Sequence, residues 1–223
     1  MRICAFSDMH GQYDFTIEPC DIVLICGDII PLRIQRDLGQ SLEWIKSFFI
    51  PWCNSLPCEK VVFIGGNHDF LLQKESEKLR EALKSQDKII YLDCEYYEYN
   101  GKTIYGTPWC KPFFNWAFME EEKASDERYK DVQHMDILIT HDAPHGLSDI
   151  LLQEDCPWAD GKHIGNNAIK RLISKTKPAL VFHGHLHSTN HEPEVYKKAK
   201  IFNVSLLDER YEMVYKPLYI ELE

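Results

Sequence analysis

Short apolar runs that end abruptly in polar residues recur along the chain. Residues 61–64 are Val, Val, Phe and Ile, and residues 65–69 are two glycines, an asparagine, a histidine and an aspartate. A continuous run of β-branched and aromatic residues is typical of a strand buried on both faces in a parallel sheet. Open α/β sheets bind their ligands at the carboxyl ends of such strands. The pattern therefore predicts a buried strand followed by a candidate ligand-binding loop.

Five predicted strands end in the same way. The residues that follow them are Asp8 and His10, Asp28, Asn67 and His68, His141, and His185 and His187. Turns usually consist of glycine, asparagine, aspartate and serine, which does not account for histidine after four of these strands. Buried imidazoles and carboxylates are costly without partners. We therefore interpret these side chains as parts of one metal centre.

The segments between these strands alternate between helical and extended patterns. Apolar residues at helical spacing predict a helix from about residue 37 to residue 50, where Pro51 is expected to end it. Asn100-Gly101 predicts a hairpin between two β-rich segments. Further helices are predicted over residues 75–84, 120–130 and 165–176, further strands over residues 88–92, 201–206 and 218–222, and a long loop over residues 143–161. This alternation predicts an α/β fold.

Length and charge narrow the function classes. With 223 residues, the chain is predicted to form a single domain, residues 1–223, with a substantial core. Its 35 acidic residues outnumber its 25 basic ones, which gives a net charge of -10. Nucleic acid and anionic membranes bind basic surfaces, so both are disfavoured as partners. A small phosphorylated substrate held by a local positive charge is compatible with this balance.

Eight cysteines are present, and none are spaced as C-x-x-C. Cys4 and Cys26 lie inside apolar runs, where a free cysteine behaves as a small hydrophobe. Disulfide frameworks are typical of shorter secreted chains. The first residues lack the long apolar segment of a signal peptide, and no apolar run approaches the length of a membrane span. We therefore expect a reduced, cytoplasmic protein without a membrane partner.

The mixture of side chains at the strand ends indicates which ions would bind. Cysteine is absent there, which disfavours a structural zinc site. Imidazole combined with carboxylate and amide oxygen suits manganese, iron, zinc or nickel better than magnesium or calcium. Seven ligands are too many for one catalytic ion with an open position, and they suit two ions that share a carboxylate. Two such ions leave a local excess of positive charge that would attract a phosphate.

The motifs that contain these residues resemble those of the calcineurin-like metallophosphoesterase superfamily. In the family order they are Asp8-x-His10, Gly27-Asp28, Gly66-Asn67-His68-Asp69, His141 and Gly184-His185-x-His187. A narrower resemblance is to the small metallophosphoesterase-domain proteins. It rests on Gly106-Thr107-Pro108-Trp109, Thr140-His141-Asp142-Ala143-Pro144-His145-Gly146 and His163-Ile164-Gly165. The loop of that family usually reads T-H-G-P-P, whereas Asp142 and Ala143 follow His141 here, which changes the expected rim of the site.

The resemblance implies a role for each matching residue. The first metal ion would be held by Asp8, His10, Asp28 and His187. The second would be held by Asp28, Asn67, His141 and His185, with Asp28 bridging the two ions. Asn67 and His68 would contact the substrate, and His68 would protonate the leaving oxygen. We expect Asp69 to orient His68 and to favour its charged form.

The resemblance also leads us to expect a fold and a reaction. The expected fold is a four-layer αββα sandwich of two mixed sheets with helices on both outer faces. The expected reaction is hydrolysis of a small phosphoester, a phosphodiester rather than a phosphomonoester, by attack of a metal-bridging hydroxide. The alternatives are a phosphomonoesterase or nucleotide hydrolase at the same site, and a non-catalytic binding or scaffold protein. Protein phosphatase activity is disfavoured, because Pro31 and Leu32 replace the Asp and Arg of the G-D-x-x-D-R-G motif.

Residues 109–118 are unusually aromatic. They include Trp109, Phe113, Phe114, Trp116 and Phe118. Such a segment could stack a nucleobase or an aryl group of the substrate. We favour a lid over the core or a contact in a homodimer, because exposed apolar patches commonly mark interfaces.

Overall fold

The computed structural model describes residues 1–151 and 161–222. Its strands follow one another as β1 (Arg2–Phe6), β2 (Ile22–Ile25), β3 (Lys60–Phe63), β4 (Ile89–Tyr91), β5 (Glu95–Tyr99), β6 (Lys102–Thr107), β7 (Ile137–Thr140), β8 (Leu180–His183), β9 (Glu194–Tyr196), β10 (Ala199–Asn203) and β11 (Leu218–Glu221). Its helices are α1 (Leu38–Trp44), α2 (Ile50–Ser55), α3 (Phe70–Lys74), α4 (Ser76–Leu83), α5 (Glu122–Tyr129) and α6 (Asn167–Thr176), with a π-helical segment (Ile45–Phe49) between α1 and α2. None of the helices in these described residues combines the length and the apolar character needed to cross a membrane.

The strands form two mixed sheets. The first has the order β11-β1-β2-β3-β4, and the second has the order β5-β6-β7-β8-β10-β9. Strands β1 to β4 are parallel to one another, as are β6, β7, β8 and β10. The edge strands β5, β9 and β11 are antiparallel to their neighbours. The parallel strands of each sheet therefore present their carboxyl ends at one edge.

Alternate residues of each strand face different layers. Ala5 of β1 and Phe182 of β8 lie in the core between the two sheets. Phe6 of β1 packs in a second core with residues of the π-helical segment, α2, α3 and α4. Val181 of β8 packs in a third core with residues of α5 and α6. The predicted four-layer αββα sandwich is therefore confirmed, and its central layers explain why the strands are apolar on both faces.

The prediction that Pro51 ends the first long helix is wrong. The helical backbone continues through Pro51, which lies in the first turn of α2, and ends at Ser55. The π-helical segment immediately before α2 contains a wider turn, in which the N–H of Ile50 donates to the carbonyl of Ile45. A proline is tolerated in the first turn of a helix, because the N–H group that it lacks has no partner there.

The other predicted elements are present within one to three residues of their expected ends, and two short elements were missed. These are α3 and β9, whose five and three residues are too few to show a period. The long loop predicted over residues 143–161 lies partly outside the described residues, which omit residues 152–160. The hairpin predicted at Asn100-Gly101 is confirmed, since β5 and β6 pair with Tyr99 opposite Lys102.

The hairpin turn supplies a test of this register. Gly101 has a φ of 72°, and an added Cβ would meet no atom within 4 Å. Replacing Gly101 with alanine is therefore expected to lower the free energy of unfolding by about 1–2 kcal/mol through backbone strain alone. Urea denaturation measures this change. Gly101→Asn is the control, because asparagine adopts the left-handed conformation more readily than alanine. An equal loss of unfolding free energy in both variants would contradict the left-handed turn at Gly101.

Candidate metal centre

The structure brings the seven predicted metal ligands together at one edge of the sandwich. The first sheet supplies Asp8, His10, Asp28 and Asn67 from the ends of β1, β2 and β3, and the second supplies His141, His185 and His187 from the ends of β7 and β8. Candidate ligand atoms lie within 4.8 Å of one another in overlapping groups, two of which are Asp8 with His10 and His187, and Asp8 with Asp28 and His141. The clustering agrees with the sequence-based prediction of one centre.

Four of the seven side chains project from strained backbone. Asp8, His10, Asp28 and His185 have φ angles of 57°, 46°, 54° and 71°. Residues other than glycine adopt this left-handed conformation rarely, because their Cβ atom crowds the carbonyl oxygen. Such strain persists where the surrounding structure fixes the conformation, and it concentrates at functional sites. Here it occurs directly after strands β1, β2 and β8, at the edge of the sandwich that carries the candidate ligands.

The first group has the spacing that one ion requires. The Nε2 atom of His187 lies 3.4 Å from Nε2 of His10 and 3.3 Å from Oδ1 of Asp8. Nε2 of His10 lies 3.5 Å from Oδ2 of Asp28. Ligands that share one ion, with bonds of about 2.0–2.2 Å, lie roughly 3–3.5 Å apart. These four side chains therefore fit the first predicted site.

The second group shares Asp28 with the first. Nε2 of His141 lies 3.4 Å from Oδ2 of Asp28 and 2.9 Å from Oδ1 of Asn67. The ring of His185 lies beside that of His141, with 5.1 Å between the ring centroids. One oxygen of Asp28 therefore lies near imidazoles of both groups, as expected for a carboxylate that bridges two ions.

Hydrogen bonds outside the centre orient its imidazoles. Nδ1 of His141 donates to the carbonyl of Cys26 at 2.8 Å, and Nδ1 of His187 donates to the carbonyl of Asp208 at 2.9 Å. Each bond leaves Nε2 free to bind an ion, an arrangement common among metal-binding histidines. Nδ1 of His10 is buried without a hydrogen-bond partner among the described residues. The donor set and its orientation thus fit transition-metal ions.

Burial and close charges shift the pKa values of these groups in the metal-free protein. Burial alone would raise the pKa of Asp28, but His141, His68 and His10 outweigh it and lower that pKa. Burial opposes the charged form of His141, yet Asp28 raises the pKa of His141 to about 10. Burial lowers the pKa of His185 to about 3. His141 is therefore protonated at neutral pH without metal, and an ion must displace that proton to bind.

Asp69 contacts the backbone and not the ring of His68. Its carboxylate accepts the N–H groups of Gly66 at 2.9 Å, Ile29 at 3.1 Å and Ile30 at 3.0 Å. Burial, with a further contribution from Asp28, raises the pKa of Asp69 to about 7. The carboxylate thus joins the loops after β2 and β3. The expectation that Asp69 orients the His68 ring and favours its charged form is therefore corrected. Burial lowers the pKa of His68, and the contacts of Asp69 give it a role in positioning these loops.

His68 is oriented by residues that the sequence did not indicate. Its Nδ1 lies 2.5 Å from Oε1 of Gln35, and its ring packs on Trp116 with 4.3 Å between centroids. Burial lowers the pKa of His68. Gln35 follows Asp28 by seven residues, in a segment without a period, so no sequence signal identified it.

A cavity of about 450 Å³ opens beside His68. Its apolar and aromatic lining includes Phe113, Phe114, Trp116, Leu151, Ile164 and Tyr211. The aromatic segment therefore divides, because Phe118 is buried in the core and Trp109 packs against the Phe118 ring. Within the chain, Phe113 and Trp116 line the cavity, and the predicted lid or homodimer contact stays a prediction.

Asp142, the residue expected to alter the rim, is buried. It is 1% exposed, and its Oδ2 accepts the N–H of Lys111 at 3.0 Å. Burial is the largest influence on this carboxyl and raises its pKa to about 6. The substitution therefore ties the segment around Lys111 to the end of β7, and Lys111 itself lines the cavity.

A close approach at Gly66 supplies a test of the centre. An added Cβ would lie 2.2 Å from Oδ1 of Asp28 and 2.6 Å from Cε1 of His141. Gly66→Ala is therefore expected to displace both ligands and to lose most of the bound metal while the fold is retained. Elemental analysis after reconstitution and circular dichroism measure these properties. Gly39→Ala is the matched control, since its Cβ meets only Asp37 at 3.5 Å, and full metal content in Gly66→Ala would contradict the geometry.

Comparisons with solved structures show the same fold at low sequence identity. TT1561 of Thermus thermophilus superposes with a TM-score of 0.61 at 13% identity, covering 91% of this chain and 88% of that one. The phosphopantetheinyl hydrolase of Mycobacterium tuberculosis superposes with a TM-score of 0.55 at 13% identity, covering 94% and 90%. At these identities the likeness concerns the fold alone.

Comparisons of sequence identify the family. The human protein named metallophosphoesterase domain-containing protein 1 is 24% identical over 99% of this chain and 71% of its own length. The mouse protein of the same name matches equally. The family model for calcineurin-like phosphoesterases matches residues 1–189, which contain every candidate ligand. The chain therefore belongs to the calcineurin-like phosphoesterase family.

Proposed function

We propose that this protein hydrolyses a small phosphodiester at a centre of two divalent metal ions. Membership of the family makes the chain a metal-dependent phosphoric ester hydrolase. The number of ions, the preference for diesters and the roles of single residues go beyond the family. Two such ions, when bound, would activate the attacking water and neutralise charge on the phosphate.

One observation carries the proposal of two ions. Oδ2 of Asp28 lies 3.5 Å from Nε2 of His10 and 3.4 Å from Nε2 of His141. Asp28 is 1% exposed, and its other oxygen accepts the N–H of His68 at 2.8 Å. A single carboxylate held between two groups of ligands supports a bridging role. The imidazole, carboxylate and amide donors favour manganese, iron, zinc or nickel.

His68 is proposed to bind the phosphate and to protonate the leaving oxygen. It lines the cavity next to Asn67, and the contact between its Nδ1 and Gln35 leaves Nε2 for the substrate. Burial lowers the pKa of His68 in the empty site, and the negative charge of a bound phosphate would favour the charged ring that carries a proton on Nε2. Trp116 packs against the ring and limits its rotation. A positioned acid is needed most when the leaving oxygen is a poor leaving group.

The charge of the cavity supports a diester. Among the described residues that line the cavity, Lys111 is the single lysine or arginine, and Glu209 is the single glutamate. A monoester carries a second negative charge, which would require more cationic groups to compensate it. A diester carries one negative charge and a second organic substituent. The aromatic walls formed by Phe113, Phe114 and Trp116 suit an apolar or aromatic substituent.

The cysteines support activity in a reducing compartment, and we propose the cytoplasm. The seven cysteines of the described residues are all free. Disulfides form and persist chiefly in oxidising compartments.

Removing the imidazole of His68 tests its role. His68→Ala is expected to keep its bound metal and to lose about 10²–10⁴-fold in kcat on diesters with poor leaving groups, because general acid catalysis contributes about that much. A nitrophenyl diester serves as the internal control, since its good leaving group needs little protonation. Metal content falling together with activity would assign His68 to metal binding instead.

A substrate panel tests the proposed reaction. The protein is stripped of metal, reloaded with manganese, zinc, nickel or iron, and assayed on a nitrophenyl diester, the matching monoester and cyclic nucleotides. We expect the largest kcat/KM on a diester and no turnover in the stripped protein. A larger kcat/KM on the monoester would identify a phosphomonoesterase. Full metal loading without turnover of any ester would indicate a binding protein.

A further inference from the structure

Cys110 lies against the second group of metal ligands. Its Sγ and one ring nitrogen each of His141 and His185 lie within 4.8 Å of one another. Cys110 follows β6 and is fully buried. It is the one cysteine that the described part of the chain places in a group of three or more candidate ligands. The ligand set implied by the family does not include it.

Three backbone contacts fix Cys110 beside the centre. Its N–H donates to the carbonyl of Phe118 at 2.8 Å, and its carbonyl accepts the N–H of Glu120 at 3.0 Å. The next residue, Lys111, donates its N–H to the buried carboxylate of Asp142. Because Asp142 directly follows His141, this bond ties the Cys110 segment to a ligand of the second group. The position of the thiol is therefore a property of the fold.

The thiol has little else to bind. Its hydrogen-bond contact is to the carbonyl of Pro108 at 3.5 Å, and a thiol is a weak donor. Thiolate is a soft ligand that selects zinc, iron and similar ions over magnesium, manganese and calcium. Combinations of cysteine with histidine are common at zinc sites. A sulfur ligand would therefore distinguish the second group from the first, whose candidate ligands are oxygen and nitrogen alone.

We propose that Cys110 is a further ligand of the second metal ion and makes that position selective for thiophilic ions such as zinc, cobalt and cadmium. The inference rests on the metal centre of the proposed function and concerns which ions the second position prefers. In the step that forms the complex, a sulfur–metal bond forms, the S–H bond breaks, and the proton passes to solvent. The complex then carries one positive charge less than the same centre without the thiolate.

The charge balance is consistent with this step. A divalent ion deprotonates a thiol that binds it, so the ion itself accounts for the proton that is released. His141 and His185 supply the nitrogen ligands that hold such an ion within reach of the sulfur.

Cobalt substitution tests the sulfur–metal bond by spectroscopy and without an activity assay. Cobalt(II) bound by a thiolate shows an intense sulfur-to-metal charge-transfer band in the near ultraviolet, which nitrogen and oxygen ligands do not produce. We expect the band in the wild-type protein and in Cys53→Ser, and its loss in Cys110→Ser with cobalt still bound. Cys53 is the matched control, because it is equally buried but lies in the apolar core. A band that persists in Cys110→Ser, or a cobalt-loaded wild-type protein without one, overturns the proposal.

Metal selectivity supplies a second readout. In competition with a chelator, Cys110→Ser is expected to lose about tenfold or more in affinity for zinc and cadmium. Substitution of residues around a metal site commonly has an effect of this size. The affinity for manganese is expected to change little. Equal losses for all three ions would show a purely structural role and overturn the proposal. Should the variant not fold, cadmium NMR of the wild-type protein decides, because the chemical shift reports sulfur ligation directly. A wild-type protein that binds no metal would instead refute the metal centre of the proposed function.

Discussion

The carboxylate of Asp28 is the group on which the rest of the centre depends. It lies between imidazoles from two sheets, 3.5 Å from His10 and 3.4 Å from His141, and it is 1% exposed. An isolated carboxyl group at this depth would be protonated, because keeping it charged costs several kcal/mol, so the carboxylate requires cationic partners. Without metal, the proton on His141, whose pKa Asp28 raises to about 10, is one such partner, and bound ions would take its place. The partners of Asp28 lie at one edge of the four-layer sandwich, because the parallel strands that carry them end there.

Around this carboxylate, the chain separates metal binding from the contacts that hold the loops. Asp69 does not contact the ring of His68 but accepts three backbone N–H groups, from Gly66, Ile29 and Ile30. Asp142 likewise accepts a backbone N–H, from Lys111. Both carboxyl groups are fully buried beside the centre, and burial raises the pKa of each. Asp69 and Asp142 therefore support the loops that carry the candidate ligands.

Much of this arrangement could be predicted from sequence, for a physical reason. The ligands follow apolar runs directly, so a local pattern indicates both the strand and the residue at its end, and Asp28 and His141 could be placed without any tertiary information. Gln35 and Cys110 could not, because their roles depend on contacts between segments far apart in the chain, such as Gln35 with His68. The prediction at Pro51 was wrong because this proline lies in the first turn of α2, directly after the π-helical segment, where a proline is tolerated. The aromatic segment was ambiguous because Phe118 and Trp116 are both aromatic, although Phe118 lies in the core and Trp116 lines the cavity.

The hydrogen bond from His141 to the carbonyl of Cys26 joins the end of β7 in one sheet to the end of β2 in the other. Asp28 and Asn67 meet the same imidazole from the first sheet, so neither sheet holds a complete set of ligands alone. The centre is therefore complete only when the two sheets have docked, and a full set of ligands for the ions exists only then. The ions would then link the two sheets of the sandwich. The stability of the folded protein would therefore depend on the supply of metal in its surroundings.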